Sequence, residues 1–397
     1  MTITRQLAYS AAAVLFTACS LITPDSTDKP VTGPQFEAED YARNAKEYFE
    51  AGQWLRAREQ WELQLQKQPG EWMAELGLAS ADHWLGSAAL DQGRLRDARG
   101  LLERSDQAAA KLWDGSVEAD TQSAAPQPKA AWKAALYVAL NRRALADLGF
   151  TESRVLRQQA EALPRHEART QDALARADRL EATARSQQAE ALQVFLRLRR
   201  MAHPAPEVIL HVAELQQRTG AVDEAESEFR IWLGLSAASL TQWTSQLDAT
   251  SNVNDEKLRN LQREVIRGKI KSVQMKRIAV LVRLGNMAYD RGENALRAAG
   301  TTPTAADISA AKRHFSLAVD DLNAAFATDE SRIDLLLKTA QCQGRLEQWE
   351  LGIANIERYE RTRAQRGDAF DQDLSAAARL KAEFKAHTRK PRGSRVP

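Results

Sequence analysis

One spacing constrains this chain more than any other feature. Gly52, Trp54, Ala57 and Trp61 follow the pattern Gly-x-aromatic-x-x-Ala-x-x-x-aromatic, which returns as Gly93, Leu95, Ala98, Leu102 and as Gly220, Val222, Ala225, Phe229. A weaker copy runs through Glu347, Trp349, Gly352 and Ile356. Seven residues before each turn position stands a small residue: Ala45, Gly86, Ala213 and Ala340. Glycine at the turn supplies the left-handed backbone that ends one helix before the next begins. Small residues at Ala45 and Ala57 let two antiparallel helices approach closely, and Pro69 stops the second. The large apolar residues then fill the gap to the next hairpin. Such a unit cannot bury its apolar face alone, so the spacing predicts stacked helical hairpins.

Residues 38–71, with Tyr41, Ala45, Tyr48, Gly52, Trp54, Ala57, Trp61 and Pro69 in register, resemble the tetratricopeptide repeat, a helix–turn–helix unit of about 34 residues. Composition agrees with stacked helices: aromatics are 6% of the 397 residues, and no alternating Val/Ile/Thr run bounded by turns marks a strand. The expected class is all-α, a tetratricopeptide-like α-solenoid of helical hairpins with an irregular long-helix middle segment.

The chain divides into 1–18 as an export signal, 19–37 as a tether, 38–111 as N-terminal repeats, 112–128 as a polar loop and 129–203 as a long-helix segment. A further repeat at 204–238, a linker at 239–256, C-terminal hairpins at 257–384 and a basic tail at 385–397 complete it. Within the middle, 130–148 and 152–163 read as a helical pair around Gly149 with Thr151 as a cap. Pro164 then starts a helix to about Met201. Its narrow stripe of Leu174, Ala177, Leu180, Ala184, Ala191, Phe195 and Leu198 suits packing on neighbouring repeats or a homodimer contact through 165–201. A disguised repeat lies at 278–327, where Gly285, Ala288 and Gly292 match the first helix and Ala311, Phe315 and Ala318 the second. It requires an insertion at 293–306, with Asp307 capping the helix that resumes. Insertions at repeat turns point outward and often touch partners.

At the N-terminus, Arg5 precedes an apolar run from Leu7 to Phe16 that is too short to span a bilayer. Leu15-Phe16-Thr17-Ala18-Cys19 resembles the lipobox of bacterial lipoproteins, with Phe16 where that family usually has Leu. The resemblance implies that Cys19 becomes the lipidated first residue, and Ser20 after it implies an outer-membrane anchor with the body facing the periplasm. Acyl chains contribute about 0.8 kcal/mol per buried CH₂ to such attachment. The other cysteine, Cys342, reads as a small core hydrophobe.

The formal net charge of +2 gives no field for nucleic acid. Ser309-Ala310-Ala311-Lys312 matches the SxxK signature of penicillin-interacting serine enzymes, but the nearest third element is Lys338-Thr339-Ala340 and the second is missing. The six histidines, His83, His166, His203, His211, His314 and His387, form no metal motif; His211 with Glu207 and Glu214 is at most a half-site. No Gly-rich phosphate loop is present. The expectation is therefore no enzyme, no catalytic residue, no metal and no cofactor. Residues 257–277 hold eight Lys/Arg against Glu264, with Leu258, Leu261, Val265, Ile270 and Val273 at helical spacing. Such a helix lies on anionic lipid, docks an acidic partner, or buries its stripe and solvates the rest.

Tetratricopeptide arrays hold peptides or proteins in a groove lined by the first helix of each hairpin. That resemblance implies groove positions at Lys46 and Phe49, at Glu214, Gln217 and Arg218, at Asn286, Tyr289 and Asp290, and at Gln341 and Arg345. The function implied is a lipid-anchored periplasmic scaffold that binds protein partners of the cell envelope. It would assemble or position a machine such as a secretion system, a pilus or a wall-remodelling complex. The alternative is an envelope immunity or inhibitor protein that binds a toxic enzyme.

Overall fold

The computed structural model describes residues 37–113, 129–163, 168–201, 204–252, 255–366 and 371–388. The signal, Cys19, most of the tether, the loop from 114 to 128 and the tail from 389 lie outside them. Among the described residues all regular structure is helical. The chain forms two compact units, residues 1–225 and 226–397.

In the N-terminal unit α1 (Ala38–Glu50), α2 (Trp54–Lys67), α3 (Trp72–Asp91) and α4 (Leu95–Leu112) form two hairpins, followed by α5 (Lys129–Glu161), α6 (Ala168–Arg199) and α7 (Pro206–Thr219). The turn positions are as the spacing requires: Gly52, Gly93 and Gly220 take φ of +73°, +73° and +88°. Glu347, the turn residue of the weak copy, has a φ of 61° and is the single non-glycine with positive φ among the described residues. The register therefore forces this backbone even where the side chain resists it.

Packing follows the same letters. Ala45 and Ala57 are fully buried. Trp61 lies on Gly77 of the next hairpin, where an added Cβ would stand 2.3 Å from the indole, and Leu102 lies on Gly86. Joining the hairpins is a buried polar network that the spacing does not encode. His83 Nδ1 is 2.8 Å from Asn141 Oδ1, Asn141 Nδ2 donates to Ser105 Oγ at 2.8 Å, and Ser105 donates to the Ala79 carbonyl at 2.6 Å. Beside it the buried Asp82 accepts from Arg58 at 2.8 Å and from Arg104 at 3.3 Å. Burial lowers the His83 pKa to about 4, against the raising effect of its bond to Asn141.

The middle corrects the sequence reading twice. Residues 130–161 form one helix without a break at Gly149, because that glycine is a point of helix contact: a Cβ there would lie 3.0 Å from Ala184 Cβ. Thr151, expected as a cap, is mid-helix and donates to the Asp147 carbonyl at 2.8 Å. α5 and α6, of 33 and 32 residues, are each about 50 Å long and pair along their length. The alanine stripe at Ala177, Ala184 and Ala191 is fully buried, with Ala191 in one core with Ala135, Val138 and Ala139 of α5. The stripe thus packs within the chain at Ala177, Ala184, Ala191, Phe195 and Leu198, and is half-buried at Leu174 and Leu180.

The third correction is at 239–256. Here α8 (Val222–Ala249) continues as helix into a 3-10 turn (Thr250–Asn252), and α9 (Glu256–Ala298) begins under an Asp255 cap that accepts from Leu258 N at 3.0 Å. Within this Ser/Thr-rich stretch the hydroxyls bond back one turn along the helix, Ser239 to Leu235, Thr241 to Ala237 and Thr244 to Leu240, so they find partners without interrupting it. The C-terminal unit goes on with α10 (Ala305–Thr328), α11 (Asp334–Arg345), α12 (Trp349–Arg366) and α13 (Asp371–Thr388). The insertion mostly lengthens α9, which reaches Ala298 before Gly300 turns the chain. Thr304, not Asp307, is the cap of α10: Asp307 N donates to Thr304 Oγ1 at 3.2 Å and Thr304 N to Asp307 Oδ2 at 2.9 Å, a capping box. Helix α13 extends three residues past 385 to Thr388, and its Phe384 ring lies on Gly344 and Gly352. No described helix is long and apolar enough to cross a membrane.

Candidate protein-binding faces

The implied groove positions fall on first helices, and the structure gives each its surroundings. Lys46 is exposed, 4.0 Å from Glu50 on the same helix. Phe49 packs edge-to-face on Trp61 at 5.5 Å, holding α1 to α2. Glu214 receives Arg143 of α5 at 2.6 Å, and Arg218 pairs with Asp147. Residues 143 and 147 on α5 and 214 and 218 on α7 are both one turn apart, so the two faces mesh as a charge-exchanged ladder. Gln217 is half-buried beside it. His211 sits on Phe195, 4.9 Å between ring centres, and 4.0 Å from Glu214. Sequence reasoning gave α5 no groove residue, because no turn signal set its register.

In the C-terminal unit Tyr289, Glu293 and Arg345 converge. Arg345 Nε is 2.7 Å from Glu293 Oε1, and its guanidinium bonds the Tyr289 hydroxyl. Burial holds that phenol above its usual range. Tyr289 also meets Phe315 edge-to-face at 5.5 Å. Asn286 is half-buried with its Oδ1 unpartnered, while Asp290 and Gln341 are exposed.

Arg345 leads to a cleft of about 540 Å³. One wall is the insertion, through Leu296 and Pro303, continued by Ile308 of α10. The floor is aromatic, Phe315 and Trp349, and His387 stacks on Trp349 with ring centres 4.2 Å apart. The rim is charged and paired, Lys312 with Glu347 at 3.0 Å and Arg345 with Glu293. Ser309 and Lys312 of the SxxK match stand at the start of α10, with the lysine ammonium engaged by Glu347. Cys342, fully buried, has its thiol pushed up to about 12 by burial. Among the described residues no group of three His, Cys, Asp or Glu is placed to hold a metal ion. An apolar floor under a paired charged rim suits a peptide side chain entering from solvent.

No family model matches the chain, and no curated protein matches it. Among solved structures it is similar to one described as "The hypoxic regulator of sterol synthesis Nro1 is a nuclear import adaptor", at 13% identity over 96% of this chain and 99% of that one, TM-score 0.44. It is also similar to the P58(IPK) TPR domain, at 14% identity over 89% of this chain and 99% of that one, TM-score 0.17. A third is the APC/C hetero-tetramer Cut9-Hcn1, at 14% identity over 89% and 77%, TM-score 0.18. At these values the neighbours say nothing of partner or site. The fold assignment rests on the hairpins themselves, a tetratricopeptide-like all-α build.

Proposed function

We propose that this chain is a protein-interaction scaffold that receives a segment of a cell-envelope protein, chiefly in the cleft of the C-terminal unit where Arg345 of a first helix faces the second helix α10. The supporting observation is the cleft's construction: an aromatic floor of Phe315 and Trp349, an apolar insertion wall and a rim of paired charges, open to solvent. Such a surface binds by burying a side chain and exchanging one ion-pair partner for another. The chain would act from lipidated Cys19 on the periplasmic side of the outer membrane, where it helps assemble or position an envelope machine.

The test is photo-crosslinking from Ile308 in the native envelope, read by mass spectrometry. One envelope protein should be captured, and Lys312→Gln with Arg345→Gln should reduce that crosslink by about tenfold. Neutral replacements are chosen because a reversal at Arg345 would set two carboxylates together with Glu293. An unchanged crosslink pattern in that variant would remove the cleft from the function. Replacing Cys19 with Ser tests the anchor, and continued membrane fractionation would exclude lipidation as its basis.

A further inference from the structure

The basic segment singled out in the sequence is the first half of α9, and in the structure the leading part of its apolar stripe is exposed, while Ile270 and Val273 are half-buried. Leu258, Leu261 and Val265 are 46%, 57% and 50% exposed. They stand at i, i+3 and i+7, one face of the helix, and Lys269 and Lys276 continue that line. The inner face of the same stretch is held to α8: Arg277 donates to the Leu233 carbonyl at 2.6 Å and to Ser236 at 2.7 Å, and Arg263 donates to Thr250 at 2.9 Å. The two helices therefore run antiparallel as a two-helix arm. Between them, at the Thr250 end, lies a shallow cleft of about 470 Å³ lined by Ala249, Leu261, Val265 and Ile266.

A pair of helices covers one stripe on each and leaves the third side of its seam open. Here that open side carries the exposed leucines and valine, with Lys257, Arg267, Lys269, Lys271 and Lys276 exposed around them. We infer that the arm is a second docking surface, independent of the cleft between α10 and α11, and that its occupant is an amphipathic helix of a partner protein with acidic flanks, laid along the seam as a third helix. Leu261 and Val265 line the shallow cleft with Ala249 of α8, and with Leu258 they keep a helical spacing that a partner helix can match. The lysines select acidic flanks. Asp248, Asp255 and Glu256 lie at the Leu258 end, so the acidic flank pairs with Lys269, Lys271 and Lys276 at the other end, a polarity that a uniformly anionic bilayer does not match. The basic tail of this chain is repelled by the same lysines.

The test is selection of binders from a random-sequence helical peptide library on the full chain, with counter-selection on the Leu261→Asp, Val265→Asp variant. Enriched peptides should be acidic, with apolar residues at i, i+3 or i+4, and i+7. Their affinity should fall at least about tenfold on that variant and about tenfold between about 0.05 and 0.5 M salt. Both positions are exposed, so the melting curve should not move. Lys269→Glu with Lys271→Glu supplies a second variant that leaves the apolar face intact and should weaken the same peptides. Enrichment of neutral or basic peptides, or none that distinguishes wild type from variant, would overturn the inference. So would arm-dependent flotation with vesicles of equal phosphatidylglycerol and phosphatidylcholine, or arm-dependent self-association in sedimentation. Crosslinking from Ile308 should be unaffected by either arm variant, which separates this surface from the cleft.

Discussion

Two joints, one in each unit, close by different physics. In the N-terminal unit the α3–α5 joint is a buried polar chain, His83 to Asn141 to Ser105, with Asp82 gripped by two arginines alongside. In the C-terminal unit the last hairpin is closed by a ring on glycines, Phe384 on Gly344 and Gly352, a contact of the kind that Phe315 makes on Gly292 and Trp61 on Gly77. A polar joint fixes one register, since every misalignment strands a buried donor or acceptor. A ring-on-glycine joint fixes one distance, since neither a cavity nor a methyl group is tolerated. The first should therefore be sensitive to pH and the second to volume.

The largest expected effect is in the C-terminal unit. Phe384→Ala should cost about 3–5 kcal/mol, because the ring is fully buried and closes the last hairpin. Urea unfolding would measure it, and Cys342 would report where it acts. With its thiol at about 12 and buried, that cysteine should resist alkylation in the native protein and react once Phe384 is removed. Rapid alkylation of the wild type would break the comparison. Gly352→Ala is the converse test: its Cβ would meet the Phe384 ring at 2.4 Å, and about 1–3 kcal/mol should be lost to overpacking.

The pH test belongs to the N-terminal unit. The His83 pKa is lowered from 6.5 to about 4 on folding, so the unfolded chain takes the proton first as pH falls. The stability it contributes is fully present above about pH 6.5 and is lost progressively down to about 4, amounting to about 3 kcal/mol. Hydrogen exchange of α3 and α5 should accelerate across that window. His83→Phe should flatten the difference while lowering stability at neutral pH by about 1–3 kcal/mol, since the buried Asn141 Oδ1 loses its partner. Equal pH slopes for wild type and His83→Phe would show that the polar joint does not set acid sensitivity. The smallest effect is expected at the surface, where Arg218→Gln should change stability by less than about 1 kcal/mol because its pair with Asp147 is solvent-screened.

Legibility in the sequence followed the kind of constraint. Turns were readable at Gly52, Gly93 and Gly220, and even at Glu347, because a left-handed residue flanked by fixed small and large positions leaves a local trace. Gly149 misled for the same reason: a glycine contacting Ala184 across a helix pair looks like punctuation when its neighbour is unknown. The stretch 239–249 looked like a linker because polarity was visible and the hydroxyls' return to the preceding turn was not. At the candidate faces, register located Tyr289 and Arg345 on first helices, but their link through Glu293 and the floor of Phe315 and Trp349 depended on which helices meet. The ladder of Arg143 and Asp147 with Glu214 and Arg218 was hidden entirely, since nothing in the sequence of α5 sets its angle to α7.

What the sequence alone determined is the hairpin: its turn residues, its close-packing residues and hence its all-α class, because these act within one repeat and over a few ångströms. Tertiary structure alone decided which charges are paired, which glycines are contacts, and which apolar stripes are covered. The stripe of α6 is buried from Ala184 to Leu198, while that of the first half of α9, no less regular in sequence, is left open at Leu258, Leu261 and Val265. Periodicity gives a helix a sticky face, but only the number of helices that pack around it determines whether that face is satisfied.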